Sequence, residues 1–213
     1  MKLLHRDLSP LSAQVRAQIY AKQLPLPLEA IAQAESLDGL GENSVPRLVL
    51  DDGGQLTEAW AIMEYLEALY PLPRLMPETV LAQARVRVKA SIANRYLLPL
   101  LLPMFLKIKY SQYADVDIVQ SCKRLRAIYR HFETLLPVAE GESFASESGL
   151  DLADCVLAPM IFFAQSLPRL YGQPDSLGEF PTVAAWWAAL QSHPAIERVT
   201  YELQRGFQTY LAT

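Results

Sequence analysis

The sequence predicts a small α/β unit over residues 1–73 followed by an all-α unit over residues 80–213. Three observations predict it. The first third mixes short apolar runs of strand type with helical patterns. The stretch Pro71–Pro77, "PLPRLMP", stops a helix, because its prolines remove backbone donors and fix the chain, and it reads as a linker. Everything after about Val80 reads as helix. A chain of 213 residues is long enough to bury a core in one large domain or in two modest ones.

Taken in order, "KLLH" (Lys2–His5) is a brief strand, followed by a turn at Ser9–Pro10. From Leu11 to Lys22 the spacing places Leu11, Val15, Ile19 and Tyr20 near one helical face. Leu26–Ala32 reads as a second strand, which Pro27 confines to a strand beginning or a sheet edge. "RLVLDDGGQL" (Arg47–Leu56) is a hairpin around Asp52-Gly53-Gly54, residues that tolerate positive φ. Thr57 is expected to cap the following helix, with Ile62, Leu66 and Leu69 on one face. Val80–Leu98 and Val116–Leu136 are long periodic stretches, separated by "YLLPLLLPMFL", where Pro99 and Pro103 should kink or break the helix. Asp151 is the expected N-cap of the next helix, with Asp154 at its positive end. Two more short helices are expected around His193-Pro194.

Bulk properties narrow the function classes. A net charge of −4 argues against nonspecific binding to nucleic acid or to an anionic membrane surface, both of which reward clustered Lys and Arg. The two cysteines, Cys122 and Cys155, lie outside any metal-ligand spacing and read as reduced, packed thiols; no metal site is expected. "MKLLHRDLSP" has no apolar region behind its charges, and the longest apolar run is too short to span a bilayer, so a cytoplasmic protein is expected.

A set of residues spread over most of the chain resembles the glutathione transferase family. They are Ser9-Pro10 with Val15-Arg16, Val45-Pro46, Gly53-Gly54, and Glu58 with Ala61-Ile62 and Tyr65-Leu66. Beyond the linker come Asp151–Asp154, Leu157-Ala158-Pro159, Pro181, Trp186 and His193-Pro194. The resemblance implies a thioredoxin-like N-terminal domain that binds glutathione and an all-helical C-terminal domain. It implies an activity in which the thiolate of glutathione attacks a small electrophile. A free thiol of this kind has a pKa of roughly 8.5, and a hydroxyl at a helix N-terminus can favour the thiolate. Ser9 stands where serine-type members keep that hydroxyl; Ser12 is its rival, and either can instead be a plain helix-capping serine. Val45-Pro46 resembles the family's cis-proline corner, where the Val45 backbone would pair with the cysteinyl part of glutathione as an added strand does. Ser44 occupies a place often held by a residue that reaches the glycyl end.

Two departures matter. Family members usually follow the acidic or amide residue at the start of the second helix with a serine that holds the γ-glutamyl carboxylate, an anion at a helix N-terminus. Here Glu58 is followed by Ala59. The missing hydrogen bond to a charged group is worth about 1.5–3 kcal/mol, or about ten- to a hundredfold in affinity. The Asn-Pro usual before the cis corner is also absent, with "LGENSVP" in its place. Candidate walls for the electrophile pocket are Tyr96, Met104, Phe105 and Tyr110, with packing in the core as the competing reading.

Locally, Glu58-Ala59 and "IMEYLEALYPLPRLMP" are similar to the stringent starvation protein A subfamily, which lacks the glutathione site and binds RNA polymerase. That group carries Pro-His-Pro where this chain has Pro71-Leu72-Pro73. The alternative implied is a noncatalytic partner of RNA polymerase. The family resemblance also implies a homodimer, for which Tyr70, Arg85 and Arg87 are candidate contacts.

Overall fold

A computed structural model describes residues 1–31, 44–136 and 149–212. Strand β1 (Lys2–His5) lies inside a four-stranded sheet of order β2-β1-β3-β4. It runs parallel to β2 (Leu28–Ala30) and antiparallel to β3 (Arg47–Val49), which pairs with β4 (Gln55–Leu56) in the expected hairpin. β2 is shorter than the sequence suggests because it begins only after Pro27, on an edge where a missing N–H costs no ladder bond. Ala32 lies outside the described residues.

Helix α1 (Pro10–Ala21) is buried over nearly its whole circumference, from Ser12 to Ile19. It packs on α2 (Ala59–Leu69) on one side, and on α6 (Leu152–Leu170) and α8 (Pro194–Ala212) on the other. Its polar side chains are therefore bonded to other elements. The Gln18 amide donates to the Met63 carbonyl at 2.9 Å, and the Gln14 amide donates to Asn94 Oδ1 at 2.9 Å.

Helix α2 starts at Ala59, and the capping position falls on Glu58, not Thr57; no side chain caps it. The linker is fastened from three directions. Lys22 Nζ donates to the carbonyls of Tyr70 and Pro73 and pairs with Glu67 at 3.0 Å. Glu67 in turn accepts the Leu75 amide at 2.8 Å, and the Leu75 carbonyl accepts the Leu152 amide at 2.9 Å. The Leu72–Pro73 bond is cis, and Leu72 projects outward with 70% of its surface exposed.

Past the linker, α3 (Val80–Ile92) runs through a π-helical stretch, Ala93–Leu97, into α4 (Leu98–Leu106). The two prolines do not break it. Pro99 falls in the first turn of α4, and the wider π-turn before it, in which the Leu98 amide reaches the Ala93 carbonyl, takes up the mismatch of a residue without N–H. α5 (Ile118–Leu135) and α7 (Pro181–Gln191) complete the helical layer. The last helix, α8, is 19 residues long where a short one was expected. Asp151 caps α6 in a reciprocal box: Asp154 N–H donates to Asp151 Oδ1 at 3.0 Å, and Asp151 N–H donates to Asp154 Oδ2 at 2.7 Å. Lys89 of α3 closes on Asp151, and Trp186 Nε1–H of α7 donates to Asp154 at 3.0 Å, so one buried cap ties three helices together.

Candidate functional site

The strand register gathers the N-terminal candidates at one end of the sheet. Leu4 lies opposite Arg47, so the Val45-Pro46 corner, one step before β3, stands beside the end of β1 from which the chain runs to Ser9. Leu48 lies opposite Leu56, so Thr57 and Glu58, one step beyond β4, stand at that same end. Helices α1 and α2 both begin there, and their positive N-termini face the same side. Residues far apart in sequence thus converge: Ser9, Val45-Pro46 and Glu58-Ala59.

Each has a distinct local setting. Ser9 is the N-cap of α1, and its Oγ accepts the Ser12 N–H at 3.2 Å. That leaves its own O–H as a donor, and the side chain faces a small cavity. Ser12 is fully buried, its hydroxyl turned toward the Arg6 N–H, and it lines neither cavity described below. The Val45–Pro46 bond is cis. Ser44 is half-buried, and its carbonyl accepts from the Arg47 guanidinium at 3.2 Å. The residues Leu40–Asn43 of the "LGENSVP" stretch lie outside the described residues.

Glu58 has φ 68°, a backbone region in which a residue other than glycine is uncommon. Its carboxylate is exposed and makes no capping bond, while its carbonyl accepts the Ile62 N–H at 3.0 Å. The first amides of α2, from Ala59 onward, therefore have neither an intrahelical nor a capping side-chain partner. Ala59 itself is buried.

Two cavities open around Arg6 and Leu8, and Ser9 lines the smaller. The smaller, ≈ 170 Å³, is apolar and lies between Leu8–Pro10 and helices α4 and α6, with Leu101, Phe105, Met160 and Phe163 in its wall. The larger, ≈ 840 Å³, lies between the end of β1 and the outer face of α8 and is rich in charged and tyrosine side chains. Arg6 and Leu8 border both. Of the four residues expected to wall an electrophile pocket, Phe105 lines the smaller cavity and Tyr110 the larger. Met104 lies in the core with its carbonyl accepting from the Tyr171 hydroxyl at 2.9 Å, and Tyr96 stands on the outer surface, 57% exposed; neither borders either of these two cavities.

Sequence reasoning passed over the floor of the larger cleft. Arg16 is buried and donates to the carbonyls of Arg6 and Asp7 and to His5 Nδ1 at 2.7 Å, while its Nε faces Glu202 at 3.3 Å. Because the guanidinium can only donate, His5 Nδ1 must accept, and the imidazole is held neutral. Burial and then the Arg16 charge push its pKa below 6.5. Tyr20 donates to Glu202 at 2.8 Å; burial first, and the Glu202 bond second, push its pKa up to about 12, so the phenol stays neutral. The signal was present but ambiguous: Arg198, Tyr201, Glu202, Arg205 and Thr209 recur at helical spacing, as an ordinary solvent-facing stripe does.

Residues 3–74 match the family described as "Glutathione S-transferase, N-terminal domain". Those residues carry that N-terminal domain, and the chain has a glutathione S-transferase fold. It is 27% identical over 167 residues to glutathione S-transferase 2 of Saccharomyces cerevisiae, covering 73% of this chain and 66%, slightly under two thirds, of that relative. The glutathione S-transferase of Legionella pneumophila superposes with a TM-score of 0.73 at 22% identity, over 94% of this chain and 99% of that one. A maleylacetoacetate isomerase of Anaeromyxobacter dehalogenans, with dicarboxyethyl glutathione and citrate in its active site, gives a TM-score of 0.73 at 25% identity, over 93% of this chain and 89% of that one. No described helix of this glutathione S-transferase-fold protein is long and apolar enough to cross a membrane.

Proposed function

We propose that the protein is a glutathione-dependent transferase in which the thiolate of glutathione attacks a small electrophile. The observation that carries this reading is the convergence of an uncapped α2 N-terminus, the Val45-Pro46 corner and Ser9 at one sheet end. The γ-glutamyl carboxylate would lie on the free amides at Ala59, where the helix dipole favours an anion. The Val45 backbone would hold the cysteinyl part as a neighbouring strand does, with Ser44 toward the glycyl end. The Ser9 O–H would donate to the sulfur, and the α1 N-terminus would add its positive end. A new S–C bond then forms at the electrophilic carbon; the displaced electron pair leaves with the departing group or moves into an unsaturated acceptor. The thiol proton has already passed to solvent. The apolar cavity beside Ser9 is the natural place for the electrophile's body, with Phe105 in its wall.

The tie between linker and helices gives Pro71-Leu72-Pro73 a structural role that needs no polymerase partner. A homodimer is part of the proposal. Leu72, Val80 and Leu81 are exposed, and Arg87 pairs with Glu64 at 2.9 Å, joining the outer faces of α2 and α3 into one surface that a second copy would cover. Of the contacts expected there, Arg85 is exposed, while the Tyr70 carbonyl is held by Lys22.

The thiolate absorbance of bound glutathione, followed against pH, tests the reaction. In the wild-type protein the bound thiol should titrate well below roughly 8.5, and Ser9→Ala should move it back toward that value. Titration of the bound thiol at the free value in both proteins would remove the catalytic role of Ser9.

A further inference from the structure

The turn that presents Ser9 is held from behind by a side chain further along α1. The Ser9 amide donates to the Arg6 carbonyl at 3.2 Å, which closes a four-residue turn, Arg6–Ser9. That same carbonyl accepts one arm of the Arg16 guanidinium at 3.3 Å, and the Asp7 carbonyl accepts the other arm at 2.9 Å. A planar fork spanning two successive carbonyls fixes both orientations, which a single ammonium cannot do. The first arm also reaches His5 Nδ1 at 2.7 Å, so the guanidinium joins the end of β1 to the turn.

Arg16 is fully buried, and a buried cation needs a counter-charge. Glu202 of α8 supplies it, with Oε2 standing 3.3 Å from Arg16 Nε. The Asp7 carboxylate is more distant, at 3.7 Å, and largely exposed. Glu202 is held in turn by the Tyr20 hydroxyl at 2.8 Å and by Arg198 at 3.3 Å. Helix α8 also approaches the turn directly: a Cβ on Gly206 would stand 3.6 Å from Leu8 Cδ1 and 3.9 Å from Asp7 Cβ. The turn is thus backed by the helical layer as well as by its own helix.

We propose that Arg16 is a positioning residue for Ser9, set in place by Glu202, so that a helix of the C-terminal part fixes the hydroxyl that meets the sulfur of glutathione. This rests on the role proposed above for Ser9. Arg16 lines neither cavity and acts through the Arg6–Ser9 turn. A displacement of about 1 Å at a reacting group can cost on the order of a hundredfold in rate, so a turn held on two carbonyls matters to the chemistry.

The thiolate absorbance of bound glutathione, followed against pH, tests this in Ser9→Ala, Arg16→Lys, Glu202→Gln and the double variant Ser9→Ala with Arg16→Lys. Lysine keeps the charge but cannot bridge two carbonyls. Arg16→Lys should therefore raise the pKa of the bound thiol by about one unit or more, toward the value in Ser9→Ala. Glutathione affinity should fall by no more than that shift accounts for, about tenfold per unit. The double variant should titrate with Ser9→Ala, because effects within one network do not add. Glu202→Gln keeps an acceptor beside Arg16 and should give a smaller rise; it decides the matter if Arg16→Lys does not fold. An unshifted thiol in Glu202→Gln and in folded Arg16→Lys, beside a raised one in Ser9→Ala, would overturn the positioning role and leave that of Ser9 standing. A double variant raised above Ser9→Ala would show Arg16 acting apart from Ser9 and would overturn it too. An unshifted thiol in Ser9→Ala removes the role of Ser9 and this inference with it.

Discussion

Ala59 and His5 show how much a single position decides. At Ala59 the backbone donor at the start of α2 survives while the hydroxyl usual in the family is gone, so the proposed glutathione site is weakened in affinity without being rebuilt. His5 carries a different consequence. Its imidazole accepts from Arg16 and is held neutral, with a folded pKa below its ordinary 6.5. A group with a depressed folded pKa stabilises the fold above its unfolded pKa and loses that contribution as pH falls through 6.5 toward the folded value. Stability measured by urea unfolding should therefore decline as pH drops from 7 through about 6.5 and below. His5→Gln offers Arg16 a non-titrating acceptor and should flatten that slope; an identical slope in the variant would refute the assignment. Neither the Arg16–His5 contact nor the burial of Arg16 was legible in sequence, because Val15-Arg16 sits in a stretch whose apolar spacing implies one buried face. The helix is in fact enclosed on all sides.

Among the elements, the start of α6 carries the most concentrated polar load. Asp151 accepts the Asp154 amide and pairs with the buried Lys89, and Asp154 receives the Trp186 indole while burial pushes its carboxyl pKa upward. Asp151→Ala removes a cap, worth about 0.5–2 kcal/mol, and also strands a buried ammonium. A loss of about 3 kcal/mol or more is expected in urea unfolding followed by tryptophan fluorescence, with a smaller loss for Asp151→Asn. A loss under about 1 kcal/mol for Asp151→Ala would mean that Lys89 finds another partner. This cap was readable because an aspartate ahead of an apolar run, with a second carboxylate three residues on, has few other uses. The start of α2 was misread by one residue, because Thr57 looks like a cap while the chain instead turns at Glu58 with positive φ, which side-chain chemistry does not announce. The passage through Pro99 was likewise illegible: a π-turn upstream is a backbone answer to a proline, and the sequence shows only the proline.

For the whole molecule, the order of an α/β part and a helical part was legible from the change in hydrophobic period at the prolines near residues 71–77. The convergence of Ser9, Val45 and Glu58 was legible only through family resemblance; physically it follows from strand register, which pairing sets and composition does not. The cleft along α8 left only an ambiguous signal, since its stripe of charge and tyrosine is indistinguishable in sequence from a solvated helix face. Assembly belongs to this scale. The exposed Leu72, Val80 and Leu81 predict a dimer in sedimentation equilibrium, and Leu72→Glu with Leu81→Glu should shift it to monomer. A wild-type monomer at micromolar concentration would contradict the shared surface.

The most direct measurement of the central claim is calorimetric titration of the full chain with glutathione, beside Ala59→Ser. The site geometry predicts saturable binding at or below millimolar levels, tightened about ten- to a hundredfold by the restored hydroxyl. No binding by either protein would show that the uncapped start of α2 does not hold the γ-glutamyl carboxylate, and would contradict the glutathione-dependent reading.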